Sequence, residues 1–401
     1  NSTLSGNDAF GGGGAILGVG PVTVSNSTLS GNHAASEPGG AIVGRSAVSV
    51  SSSIISGNTT GDSGGAIYSK GDVTVSSTEF SQNEASSGGG AIWSEESSIY
   101  SNTTFIGNIS GDQGGAILAE GNVTFNNNSR LIDNRALEGG AIYVSSSRTL
   151  DITNSTLTDN YAEFDGGAVK SRSPVDISSS TISGNEADGL GGAVWSNSNV
   201  TISTNSILND NDAFSDGGAV WTQGSVNVSS STLSGNETTG SGGALWIDGT
   251  STIQNSTFSS NFAGQGGGGA IRGYGTITAT KSTFSNNRAF EGGAIYGFRN
   301  TVFEDGGRVE VRNSTFLSNR AYTEVSEGGA ISAYDGAVMF STFVNNIAST
   351  GIGGIRGDSI KKTGAGDFEI GANIFAGDAT RAQLGIGASP TPFTDLGGNV
   401  F

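Results

Sequence analysis

The chain has 401 residues, 67 of them Gly and none Cys, and its 36 acidic against 18 basic side chains leave a net charge of −18. Such an acidic surface argues against nucleic acid and anionic membranes, whose partners carry basic stripes, and favours cations and solubility. Without Cys there are no disulfides, and no stretch approaches the ~20 consecutive apolar residues of a helical membrane span.

The chain opens NSTLSGNDAFGGGGAI, and nearly the same string, NSTLSGNHAASEPGGAI, returns at Asn26. A Gly-Gly pair followed by Ala recurs at Ala15, Ala41, Ala66, Ala91 and onward to Ala294, mostly 25 or 26 residues apart. A second mark keeps step with it, a large apolar residue three positions before an Asn: Leu4 and Asn7, Leu29 and Asn32, Phe80 and Asn83, through Phe343 and Asn346. A fixed period of this length decides the fold class ahead of any local propensity. Between the marks lie short alternating runs, Val22 to Val24, Val48 to Val50, Val123 to Phe125 and Val200 to Ile202. β-branched residues at i and i+2 signal half-buried strands, and helical spacing is not sustained anywhere.

A unit of about 25 residues cannot bury its own apolar face, so units must stack, each strand pairing with its equivalent one coil away. The expectation is an all-β, right-handed parallel β-helix, a β-solenoid of about 14–15 coils with three short strands per coil, forming one domain over residues 1–401. The interval from Ala294 to Ala330 is 36 residues, which places an inserted loop at 298–309, and residues 356–401 read as irregular C-terminal coils. The aliphatic residue after each Ala (Ile16, Ile42, Ile67, Ile92) is assigned to the core. The Asn series is assigned to a structural amide ladder, since an amide can bond both its own turn and the same Asn one coil away.

The position after that aliphatic residue faces the other way and varies. It holds Tyr68, Trp93, Tyr143, Trp195, Trp221, Trp246 and Tyr296, and so all four Trp of the chain. Read as an exposed stripe, this column is a contact site for glycans or for a partner surface. The competing reading is that the rings stack on one another or lie beneath a turn and stabilise neighbouring coils.

The alternation of Gly-Gly-Ala-Ile with Phe-x-x-Asn, as in FSQN from Phe80, FSSN from Phe258 and FLSN from Phe316, resembles the repeats of the polymorphic outer-membrane proteins. These belong to the wider group of pectate-lyase-like β-helix surface proteins. The resemblance implies a right-handed parallel β-helix at the cell surface or outside the cell, commonly in adhesion. An extracellular setting would make glycan acceptors of some of the Asn-x-Ser/Thr triplets, with Asn26, Asn102, Asn154, Asn255 and Asn313 as the candidates.

Related folds carry lyases and hydrolases, but that chemistry needs clustered carboxylates in a cleft with a cation or a base. Here Asp62, Asp112, Asp165 and Asp216 precede Gly-Gly in scattered coils, and the single His33 has no second base beside it. The reading is therefore of a protein that is not an enzyme and has no cofactor, with weak Ca²⁺ binding at Asp-Gly-Gly turns as a subsidiary expectation. The first and last elements, Leu4 to Asn7 and Leu396 to Asn399 with Phe401 at the tip, share one phase of the coil. Matching phases suit a head-to-tail homopolymer, in which the protein is its own partner in a non-closing, fibre-forming contact. A piece of a longer adhesin that contacts glycans or host-cell components is the alternative.

Overall fold

The computed structural model describes residues 1–145, 148–298, 307–322, 328–350, 354–356, 359–363, 367–376, 384–386 and 394–400. They gather into two compact units, residues 1–198 and 199–401. Each unit is a parallel β-solenoid with coils of about 26 residues and no helix among the described residues.

One coil of the first unit shows the plan. Its strands are Thr28–Ser30, His33–Ala34, Ile42–Gly44 and Val48–Ser51. Each pairs in parallel with its equivalent one coil on, setting Leu29 beside Ile55, Ala34 beside Thr60, Ile42 beside Ile67 and Val48 beside Val73. Four strand families make four parallel sheets, A to D in chain order. A coil therefore carries four strands, where the sequence predicts three. The extra one, in sheet B, is two residues long and follows the ladder Asn directly. Two residues are too few to show a period of two, so in sequence it passes for a turn.

Alternation places the core as expected. In Val48–Ser51 both Val are buried and Ser49 is exposed, because successive side chains of a strand point to opposite faces. Equivalent apolar residues then stack coil on coil. Phe80 and Phe105 are parallel with centroids 4.9 Å apart in the first unit, and Phe258, Phe284, Phe316, Phe343 and Phe375 stack at 4.8–5.1 Å in the second.

The two Gly of the Gly-Gly-Ala mark do different work. Gly139 has φ of 60°, a left-handed backbone that a side chain would strain. At Gly140 the limit is space: a Cβ would lie 2.1 Å from the Gly167 carbonyl oxygen and 2.5 Å from that of Tyr161, both on the next coil. The Asn mark is a buried amide ladder. Asn134 accepts from the backbone N–H and the Nδ2 of Asn108 at 3.1 and 3.0 Å. It donates from its own Nδ2 to Phe105 O at 3.2 Å and to Asn160 Oδ1 at 3.0 Å. The carbonyl thus reached belongs to the preceding coil rather than to the residue's own turn.

In the second unit, Arg308–Arg312 pairs in register with Ile277–Thr280, and Thr315–Leu317 with Thr283–Ser285. Arg308 and Val309 are therefore sheet D residues and not part of a loop. The extra length of this coil falls on both sides of these strands, and residues 299–306 of the predicted insertion lie outside the described residues. Further on, Ile347–Thr350 turns back to pair antiparallel with Gly354–Arg356, while sheets A, C and D add parallel strands at Ile374–Ala376, Leu384–Ile386 and Thr394–Asp395.

The different roles of glycine predict different tolerances. Gly140→Ala should destabilise the first unit by more than about 4 kcal/mol or prevent its folding, since the clash is with backbone that cannot yield. Gly57 has φ of 59° with nothing within 4 Å of its would-be Cβ, so Gly57→Ala should cost only the left-handed backbone penalty of about 1 kcal/mol. Melting curves followed by circular dichroism of the two variants should separate widely; similar losses would refute the close-approach account.

Candidate functional site

The aromatic residues occupy the outward column of sheet C. In the first unit Tyr68, Trp93, Leu118, Tyr143, Lys170 and Trp195 follow one another in register. In the second unit the order is Trp221, Trp246, Arg272 and Tyr296. Of the two readings of this column, the rings follow the second: they stack and lie beneath a loop rather than forming an open stripe. Tyr68, Tyr143 and Trp221 are buried, at 6%, 1% and 8% exposure, and Trp93, Trp195, Trp246 and Tyr296 are half-buried. The cause is the loop that leads into each Gly-Gly-Ala. It folds across the column so closely that a Cβ on Gly88 would strike the Leu118 side chain, and one on Gly267 the Tyr296 ring.

Under that cover the side chains engage one another. Trp221 and Trp246 stack at 4.9 Å with planes 13° apart, and Tyr68 lies 4.5 Å from Trp93. Lys170 Nζ sits 4.7 Å above the Trp195 ring and donates to Glu138 at 2.6 Å and Asp165 at 2.8 Å. Burial alone would lower the Lys170 pKa, but the bonds to Asp165 and Glu138 outweigh it and hold the ammonium above its ordinary value. Arg272 packs against Tyr274 and Phe298, 5.2 and 5.0 Å from their centroids. A cleft lined by Leu17, Glu37, Val43, Arg45, Tyr68 and Lys70 opens beside the first coils, where Leu17 is 59% exposed.

The acidic residues singled out in the sequence stay apart. Asp165 Oδ1 accepts from the Leu190 N–H at 3.0 Å and Asp216 Oδ1 from the Ser241 N–H at 2.7 Å, each capping a turn one coil away. Asp112 has its pKa raised by burial and by Glu138. His33 Nδ1 lies 2.8 Å from Thr59 Oγ1. Among the described residues no three His, Asp or Glu side chains gather where they could hold a metal ion.

The candidate acceptors Asn26, Asn102, Asn154, Asn255 and Asn313 are all exposed and occupy one kind of site, the corner from sheet D to sheet A. Their φ values of 46–51° are left-handed, which Asn tolerates better than most residues. The next residue of each triplet lies in a hydroxyl ladder, as where Ser155 N donates to Ser180 Oγ at 3.1 Å. Each triplet thus has a structural reason for its first two residues, independent of glycosylation. Of the predicted assembly ends, Leu4 is half-buried and Asn7 exposed, Leu396 is 57% exposed, and Asn399 Oδ1 accepts from Asn373 at 3.0 and 3.2 Å. Phe401 lies outside the described residues.

Sequence reasoning overlooked a second outward column, that of sheet B, formed by the residue after each ladder Asn. One step on from each Asn would have found it: Arg135, Tyr161 and Glu186 in the first unit, Asp212, Glu237, Phe262, Arg288 and Arg320 in the second.

Residues 12–169 match the family described as the right handed beta helix region, and residues 281–297 match the Chlamydia polymorphic membrane protein repeat. The second match spans three of the four strands of a coil, from the Phe284 and Asn287 mark through Gly-Gly-Ala to the strand Ile295–Gly297. The resemblance drawn from the two marks is thereby borne out. No curated protein matches the chain. No helix of the described residues is long and apolar enough to cross a membrane.

The outward columns also place like charges together. Asp151 and Asp176 are paired in register on sheet D, and burial followed by Asp176 raises the Asp151 pKa. A carboxyl group whose pKa is raised on folding binds its proton more tightly in the folded state. Its contribution to stability is therefore lost as pH rises from the ordinary carboxylate value through the raised one, and is regained on acidification. Asp176→Asn should stabilise the first unit at about pH 7 by the few tenths to about 1 kcal/mol that directly opposed like charges cost, read as a higher Tm. It should also shrink the Tm gain between about pH 7 and about pH 4. Superimposable pH–Tm profiles for the variant and the parent would sink this account.

Proposed function

We propose that the chain is a non-catalytic, surface-displayed β-helix whose role is structural and adhesive. The observation that carries this reading is how the repeat is used. The Gly-Gly-Ala corner and the Asn ladder are spent wholly on joining coils, which leaves only the outward columns free to vary with function. One segment, residues 281–297, matches a polymorphic membrane protein repeat, which supports placement at the cell surface. Scattered carboxylates that cap turns, such as Asp165 and Asp216, support a scaffold over an enzyme.

Within this reading the sheet C column fastens coils together, and contact with other surfaces falls to exposed columns. The stacked pair Trp221 and Trp246 favours fastening over a glycan platform. Self-association into fibres belongs to the same reading as a further proposal, and sedimentation of the purified chain tests it directly.

Two measurements test the proposal. Antibody labelling of intact cells should detect the chain at the surface, and beads coated with it should adhere where uncoated beads do not; signal only after lysis, with inert beads, would overturn it. Trp246→Ser should lower Tm, losing the ~0.5–1.5 kcal/mol of a stacked aromatic pair as well as buried area, and leave bead adhesion unchanged. Unaltered Tm with lost adhesion would return the column to the role of a ligand platform.

A further inference from the structure

The second unit carries a local exception to the acidity of the chain. In the outward column of sheet B, Phe262, Arg288 and Arg320 follow one another on consecutive coils, Phe262 in register with Arg288 and Arg288 with Arg320. Both Arg are exposed. Equivalent strands lie about 4.8 Å apart, so two guanidinium stems stand directly side by side, an arrangement that self-repulsion disfavours. The ion pairs formed among the described residues use Arg135, Lys170 and Arg308, not these two. The nearest acidic member of the column is Glu237, one coil beyond Phe262.

Aromatic rings lie against Arg288. The Arg288 guanidinium lies 5.5 Å from the Phe262 centroid and 5.8 Å from that of Tyr322. These two rings are near-parallel with centroids 6.1 Å apart, and Phe290, 41% exposed, meets Tyr322 edge-on at 6.3 Å. The Tyr322 hydroxyl fixes its ring by sharing its one proton between Ala263 O at 2.8 Å and Gly264 O at 2.7 Å. Arg288 is thus held on a rigid aromatic wall, with its charge turned to solvent beside a second Arg.

We infer that Phe262, Arg288, Arg320 and Tyr322 form a binding site for an acidic sugar, its carboxylate or sulfate ester paired with the guanidinium groups and its ring packed on the aromatic wall. Arginine forks match the two oxygens of either anion, and an aromatic face suits the apolar C–H face of a sugar. Single-stranded nucleic acid also combines phosphate with a stacking ring, but it needs a basic track along its backbone. Here the positive patch is two residues long on a chain of net charge −18, so a ligand with one or two anionic groups fits and a dense polyanion does not. This inference rests on the adhesive reading above and names the chemistry of one of its contacts.

The test uses the full chain and three probes on a common core: sialyllactose for the carboxylate, 6-sulfolactose for the sulfate, and lactose as the neutral control. Titration calorimetry at low salt should show at least one acidic probe binding about tenfold or more tighter than lactose, with the preference falling as salt rises. Arg288→Gln with Arg320→Gln should abolish that preference, whereas Tyr322→Ala should weaken all probes. Both Arg side chains are exposed, so the double variant should stay folded; if it fails to fold, Arg320→Gln alone, a residue outside the ring stack, should weaken acidic-probe binding several-fold. Equal binding of lactose, an unchanged preference in the variants, or tighter binding of single-stranded DNA than of any acidic sugar would overturn the inference. Beads separate the two readings: parent-coated beads that adhere while the parent chain shows no acidic-sugar preference refute the site alone, and loss of both adhesion and the sugar preference in the double variant supports it.

Discussion

The structure depends on how closely two coils approach at the second Gly of each Gly-Gly-Ala. At Gly65, Gly90, Gly115 and Gly140 in the first unit, and at Gly218 and Gly243 in the second, a Cβ would lie 2.1 Å from the carbonyl oxygen of the equivalent Gly on the next coil. Backbone meets backbone there with no side chain between. Because this distance is the same at all six of these Gly, it fixes the phase of their coils within each unit. Extra residues must then be accommodated elsewhere. The long coil after Ala294 shows the consequence: it keeps its Gly-Gly-Ala and its strand registers and takes up added length on either side of Arg308–Arg312 and Thr315–Leu317.

A fixed phase is also what lets the interior be polar in one line. A buried amide is costly unless its donors and acceptor are all met, and a ladder meets them only if each Asn sits at the same height and angle on its coil. Asn108, Asn134 and Asn160 satisfy that condition through one repeated set of bonds. The stacked Phe of the core exploits the same regularity, since near-parallel rings at about one strand spacing require equivalent positions in successive coils. Gly corner, amide ladder and ring stack are three results of one stacking distance.

This hierarchy explains which features were legible in the sequence. The core columns and the Asn ladder were, because each repeats the same residue type at the same phase, and repetition is visible without knowing what the residue touches. The fourth strand was not, because His33–Ala34 is too short to carry a pattern. The sheet C column was located correctly, but its sequence left exposed and covered readings open, since the loop that covers Leu118 and Tyr296 varies in sequence and acts by conformation. The Arg288 and Arg320 patch escaped for a third reason. Its members lie on coils of unequal length, 32 residues separating the two Arg where 26 separate Phe262 from Arg288, so the cluster exists only once register is known.

The same reasoning locates where a function can reside. Inward and corner positions are constrained by their neighbours one coil away, and a substitution there is paid in folding. Outward positions of sheets A, B and D carry no such constraint, and their residues change from coil to coil between Thr, Ser, Asp, Glu, Arg and aromatic side chains. Register converts that variation into a surface pattern: residues one coil apart in sequence become side chains one strand spacing apart in space. Like charges then face each other, as Asp151 does Asp176 and Arg288 does Arg320, and the coil period prevents them from separating along the sheet. A ligand of opposite charge relieves that repulsion without altering the scaffold. In a solenoid of this kind, binding chemistry is therefore written by the residues that stacking leaves free, and an exposed like-charged pair on an aromatic wall is a place where binding and relief of strain coincide.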